Sequence, residues 1–309
     1  MASAPTISIS NGQITAKIAW IDAARGFYNG TRFDQAGVVT SLTLNGRDFY
    51  GPWFERIGPD VLDYTYLGDE IVAGPDSATS GPVEEFAPLD FEAKPGPFIK
   101  IGVGVLYQPD AQLYDHYRHY RILDAGQRTT TVSKTSVTFN QTLSSGGIGY
   151  IYEKTLRLVP GKPQLAITHR LRNTGTKPIN TSVYDHNFLR LVPGNGGVTV
   201  TFPFAPAAVS APPPDLLQIQ GNSLNYLRAM ANKERISFLV TGFGKIAADY
   251  DFTISGSGAS VRVQGDQPIT RMNIFSIDRA QSVEPYIGID LVPGSEKRWT
   301  YTYTYTVQP

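Results

Sequence analysis

Apolar and polar positions alternate with a period of two along nearly the whole chain. Residues 6–10, 13–18, 38–44, 99–106, 129–140, 150–159, 164–172 and 181–189 carry alternating or β-branched runs that predict strands. The closing stretch, 282–307, predicts a short apolar strand at 286–291, a Pro-Gly turn, and a strand alternating Thr and Tyr from Thr300 to Thr306. Asn-Gly pairs at 11–12, 29–30 and 45–46, Pro-Gly at 95–96, 160–161, 193–194 and 293–294, and Gly-Gly at 146–147 and 196–197 punctuate these runs as turns. No long stretch has a period of 3.6, and helix is limited to a turn or two within 113–120 or 224–232. The Pro-rich segment 202–214 reads as a sheet-to-sheet crossover, because strand patterning resumes after it. The expectation is an all-β fold: one domain over residues 1–309, a large antiparallel β-sandwich without internal repeats.

Composition agrees. In 309 residues there are 30 Gly, 22 Pro and 17 Tyr, with only 17% charged, which suits short strands joined by tight turns in one large core. Lys+Arg and Asp+Glu are both 27, so the chain lacks the basic excess that nucleic acid or an anionic membrane demands. A neutral, Tyr-rich protein fits a mono- or oligosaccharide, whose C–H faces stack on aromatic rings, bound by a monomer or a homodimer. The absence of cysteine excludes disulfides, thiolate metal sites and a Cys nucleophile. No apolar run approaches the roughly 18–20 residues of a membrane span. The start, MASAPTIS, lacks a leader's charged and apolar regions but fits a mature exported chain with a replaced initiator Met. The compartment stays open: periplasmic or secreted if a leader was removed, cytoplasmic otherwise.

The chemistry centres on Glu284. It stands immediately before Pro285 among apolar and aromatic residues, an expensive setting for a carboxylate. Burial there raises a carboxyl pKa and suits the group to proton transfer. Its partner is His186, in Tyr184-Asp185-His186-Asn187-Phe188 at the end of a strand-like run. Alternation puts Tyr184, His186 and Phe188 on one face, with Asp185 and Asn187 on the other. A locally satisfied histidine is the competing reading.

The other candidates are weaker. His169 reads as a surface or cross-strand residue beside Arg170 and Arg172. His116 and His119 lie in a Tyr-Arg-His cluster that includes Tyr120, good material for a sugar site. Without a third ligand nearby, neither a metal nor another cofactor is called for. Glu84 and Glu85, in a Pro/Phe-flanked turn, read as a solvated loop or as a rim accepting hydroxyl hydrogen bonds. Arg32 either pairs with Asp34 or reaches into a cleft. Nucleophile-elbow, P-loop, dinucleotide and HExxH signatures are all missing.

The order of these pieces resembles the galactose mutarotase-like superfamily, the aldose 1-epimerases and their relatives. Gly37-Val38-Val39-Thr40-Ser41-Leu42 is similar to an early strand of that family, and the run 165–175 to its strand with an Asn-Thr-Gly turn. Tyr184-Asp185-His186-Asn187-Phe188 resembles the Asn-His-x-Tyr-Phe motif that carries the acid histidine. Val283-Glu284-Pro285, followed by Leu291-Val292-Pro293-Gly294, resembles the Glu-Pro base motif and its hairpin. The resemblance covers about residues 35 to 307. It implies a β-supersandwich, with Glu284 taking the proton from the anomeric hydroxyl and His186 protonating the ring oxygen. An early His-Gly motif usual in the family is missing. Residues 81–86 occupy roughly that place with carboxylates, so His116 or His119 would stand in.

Three functions follow, in this order. The first is an aldose 1-epimerase-like isomerase built on Glu284 and His186. The second is a glycan hydrolase or polysaccharide lyase on the same fold, with His119, Tyr120, Tyr150 or Tyr152 joining the acid–base set. There Arg32 or Arg118 would neutralise a uronate. The third is a non-catalytic sugar-binding sandwich. Export would favour the second, since free-sugar anomerisation is mostly an intracellular need.

Overall fold

Along Glu296–Val307 every second side chain from Trp299 to Tyr305 turns inward and is buried, while the threonines between stay partly exposed. An aromatic ring buries roughly 150–250 Å². At ~25 cal/mol/Å² that is about 4–6 kcal/mol gross for each, an upper bound before ordering entropy. The computed structural model describes residues 4–308. Residues 1–3, part of the start that suggests export, lie outside the described residues.

This closing strand sits mid-way in a ten-stranded antiparallel sheet, between Gln164–Asn173 and Ala259–Gly265. Facing it is a six-stranded antiparallel sheet in the order Ala207–Ala208, Arg235–Thr241, Arg271–Ile277, Ala280–Leu291, Ile179–His186, Val83–Phe86. One continuous apolar core, from Ile7 to Tyr305, fills the space between and extends under the N-terminal four-stranded sheet. Two three-stranded sheets complete the molecule, and Arg56–Ile57 with Glu70–Ala73 is the one parallel pair described. The Pro-rich segment runs between the two sheets. The chain leaves the ten-stranded sheet after Thr199–Thr201, adds Ala207–Ala208 to the edge of the other, and returns at Leu217–Gln220.

Helix is confined to two three-residue 3₁₀ turns among the described residues, Pro193–Asn195 and Ala247–Asp249. Neither expected helical turn forms: 113–120 is irregular, and Ser223–Tyr226 is a strand whose Leu224 and Tyr226 alternate inward. Two expected single strands are hairpins. Residues 99–106 fold back between Gly96–Lys100 and Gly104–Gln108, and 129–140 between Gln127–Val132 and Ser136–Ser145. The Asn45-Gly46 turn holds both residues at positive φ, 50° and 78°, the geometry that lets a two-residue hairpin follow strand twist.

Outside the sandwich, loops from the first eighty residues pack against one end of the six-stranded sheet. Tyr28, Phe33, Trp53 and Ala78 form a second apolar cluster there with Val83 and Phe188. A cleft opens beside this cluster.

Candidate active site

Alternation aims three neighbouring strands at the cleft. On Arg271–Ile277, Met272 and Ile274 enter the core, while Arg271, Asn273 and Phe275 line the cleft. Asn273 pairs across to Glu284, and Arg271 to Tyr286, on Ala280–Leu291. Tyr286 in turn pairs with Tyr184 on Ile179–His186, and Tyr184 with Glu85. Two residues further along, the same alternation carries His186 opposite Glu284.

Pro285 opens the sheet at this point. Gln281 exchanges both backbone hydrogen bonds with Leu189, so residues 281, 283 and 285 direct their backbone groups at the histidine strand. Proline has no N–H to give. The ladder lapses between the Tyr184–Tyr286 pair and the Leu189–Gln281 bridge. Asn187 fills the gap: its side chain donates to the Val283 carbonyl at 2.8 Å, and its N–H donates to Ser282 Oγ at 2.9 Å. Phe188, at φ 43°, turns the chain away. Gly81 packs so close that a Cβ there would lie 2.4 Å from the His186 and Asn187 carbonyl oxygens.

His186 Nε2 lies 3.2 Å from Glu284 Oε1, and the two side chains are only 4% and 5% exposed. Burial pushes the Glu284 carboxyl up to about 7, against the pull of a 3.0 Å hydrogen bond from Asn273 Nδ2 to its other oxygen. Burial, then the positive charge of Arg32, pushes His186 well below the usual imidazole range. Phe188 stacks on the imidazole at 3.7 Å between ring centres, with Phe33 and Phe275 edge-on. The His186 Nδ1 atom has no partner among the described residues.

Behind this pair sits a fixed charge cluster. Glu85 accepts from Arg32 Nε at 2.7 Å and from the Tyr184 hydroxyl at 2.6 Å, and lies 3.2 Å from His116 Nδ1 and 3.6 Å from Lys100 Nζ. Burial alone would raise the Glu85 carboxyl, but Arg32 and Lys100 outweigh it and hold the group well below its usual range. Burial brings Lys100 down to about 8. The cleft encloses about 150 Å³ and is also lined by Trp53, Asp63, Tyr117 and Arg235. That is below the ~300–1,000 Å³ of drug-sized pockets, a scale for one sugar ring. A larger cleft of about 510 Å³ between Phe91, Phe98 and Lys177 lies apart from the Glu284–His186 pair.

The structure thus brings Glu284, His186, Arg32, Glu85 and His116 together. It does not bring the other candidates. Glu84 points opposite to its neighbour Glu85, into the sandwich, where it contacts Lys154 and accepts from His169 at 2.8 Å. Tyr150 and Tyr152 alternate inward on Ile148–Leu158 and hydrogen-bond Gln141 and Asp34. Tyr120 packs in a separate buried cluster with Phe98 and accepts from the Asp115 N–H. His119, half exposed, is held 3.0 Å from the buried Asp76. Arg118 pairs with Asp110, and Arg32 pairs with Glu85 rather than Asp34. His169 is not a surface residue: it stacks on Trp299 inside the sandwich. Asn273, Arg235 and Arg271 are cleft residues that sequence reasoning passed over. Their signal was a polar residue at alternate positions of strands whose other face is mostly apolar.

No family model matches the chain, and no curated protein matches it. Solved structures do. An aldose epimerase homologue from C. elegans shares 13% identity at a TM-score of 0.55, covering 99% of each chain. A galactose mutarotase-like protein from Lactobacillus casei shares 14% at 0.52, covering 97% of this chain and 100% of its own. Another galactose mutarotase-like protein, from Clostridium acetobutylicum, shares 11% at 0.54, covering 98% and 95%. The chain has the galactose mutarotase-like fold. At this identity the fold is what is shared. Within it, no group of three or more metal-ligating side chains occurs among the described residues, and no helix is long and apolar enough to cross a membrane.

Proposed function

We propose that this protein interconverts the anomers of an aldose by acid–base chemistry on Glu284 and His186. The observation that carries the reading is their 3.2 Å approach, buried at the floor of a cleft of single-sugar size. The anomeric hydroxyl and the ring oxygen share one carbon, so two groups this close can serve both. In the working state the pair holds one proton: burial leaves it on Glu284 in the free cleft, and it crosses the 3.2 Å contact to His186 Nε2 as the sugar hydroxyl docks on the carboxylate. As the carboxylate removes the hydroxyl proton, the imidazolium delivers its own to the ring oxygen. The C1–O5 bond breaks, leaving an aldehyde, a neutral acid and a neutral imidazole. After rotation about C1–C2 the steps reverse on the other face: His186 takes the proton back from the C5 hydroxyl, and Glu284 returns its proton to the new anomeric oxygen. Protons balance within the pair.

The glycan lyase or hydrolase reading drew on His119, Tyr120, Tyr150 and Tyr152, none of which lines the cleft. A pure binding module gains nothing from two ionisable groups held at a desolvation cost. The test is polarimetry of freshly dissolved aldoses with His186→Gln, Glu284→Gln and the double variant. Each single change should slow mutarotation by roughly two to four orders of magnitude, and the double should lose far less than the product. Fully multiplicative losses would contradict a pair acting as a unit.

A further inference from the structure

Three cations line the cleft, Arg32, Arg235 and Arg271, and a fourth, Lys100, is buried behind Arg32. Glu85 answers Arg32 and Lys100 together, and Asp63 answers Arg235 at 3.0 Å. Glu284 faces His186 and Asn273 instead. Arg271 is left over. Among the described residues it has no ion pair and no hydrogen bond. Its exposed guanidinium lies 4.9 Å from the Tyr286 ring centre, and that ring stacks on Tyr184 at 4.3 Å.

We propose that the sugar bound here carries an anionic substituent, and that Arg271 receives it. This deepens the Glu284–His186 reading and rests on it for the orientation of the sugar. Arg271 stands two residues from Asn273 along one strand, about 7 Å on at the usual strand rise. That reach matches a sugar with its reacting bond at the pair and a charged substituent at its far end. The Tyr286–Tyr184 stack shares the cross-strand row of Arg271, next to the row of Asn273 and Glu284, and gives that end of the cleft an aromatic floor. A guanidinium without a carboxylate partner, at the rim of a cleft lined by three arginines and two carboxylates, selects for an oxyanion. Carboxylate and phosphate share that chemistry, so the experiment separates them.

The probes are D-glucuronate beside D-glucose, D-galacturonate beside D-galactose, and D-glucose 6-phosphate. Binding by calorimetry and anomer exchange by NMR are measured on the wild type, Arg271→Gln and Arg271→Lys. The charged sugar of a pair should be favoured at least tenfold, with the preference weakening as salt rises. Arg271→Gln should cut that preference roughly ten- to a hundredfold, through Kd and KM rather than kcat, with Arg271→Lys recovering part of it. The carboxylate and phosphate arms then identify the group. Because Arg271 is exposed and unpaired, its loss leaves folding intact, which a melting curve checks. Equal use of charged and neutral sugars, no binding of any charged sugar, or a preference untouched by Arg271→Gln overturns the proposal. Charged sugars bound through Arg271 without anomerisation would sink the Glu284–His186 reading and leave this one standing. Neutral aldoses turned over while charged ones are refused would do the reverse.

Discussion

Burial favours the neutral form of both Glu284 and His186, so it moves them in opposite directions: the carboxyl up to about 7 and the imidazole well below its usual range. The pair therefore holds one proton between the two values. Above about pH 7 Glu284 gives that proton up, and kcat/KM should fall there with unit slope, while the acid limb lies well below pH 6.5. The Asn273 hydrogen bond favours the charged carboxylate, so Asn273→Leu should move the alkaline limb to higher pH. A limb that stays put or moves down in a pH–rate profile would detach Glu284 from the titration that governs activity. Glu284 and His186 were readable from sequence because a lone carboxylate before proline and a lone histidine at a strand end stand out. Arg271 and Asn273 were not. Their importance comes from cross-strand register, which one strand's sequence does not contain.

At the scale of elements, the strands that carry the site are anchored from behind by charges buried between the sheets. Lys154 lies against Glu84 and Asp34, and the Tyr303 hydroxyl donates to Asp185, the inward neighbour of His186. Lys154→Met removes the cation that both acids face. It should destabilise the fold by about 3–5 kcal/mol in urea unfolding, because it leaves buried carboxylates unpaired. A loss under about 1 kcal/mol would mean that the network is not electrostatically held. Burial, then the charge of Glu84, raises the Asp185 carboxyl from 3.8 to about 8. The folded state thus binds that proton more tightly than the unfolded chain does. The associated stability is present below about pH 4 and is lost as pH climbs to 8. Asp185→Asn cannot titrate, so its melting temperature should drop less between pH 5 and pH 9 than the wild type's. Parallel curves would contradict the assignment. None of this network was legible beforehand. Val83–Phe86 is buried on both faces, so nothing in its sequence says which of Glu84 and Glu85 looks inward.

For the molecule as a whole, alternation was enough to read an all-β sandwich. The two merged hairpins mark where the pattern runs out. Ser133-Lys134-Thr135 has neither glycine nor proline, and the turn at 101–103 sits between apolar strands, so neither reads as a break. The fold sets the sheet, and the sheet register sets Asn273, Glu284 and His186 in one row. The central claim is that this row moves protons at an anomeric carbon. It is tested most directly by two-dimensional NMR exchange spectroscopy on an equilibrated aldose or sugar acid, with calorimetry on the same samples. The wild type should give α–β exchange cross-peaks well above the uncatalysed rate. Glu284→Gln should bind the same sugar with similar affinity and lose the cross-peaks. Exchange that survives Glu284→Gln nearly intact, or a wild type that binds sugar without ever accelerating exchange, would contradict it.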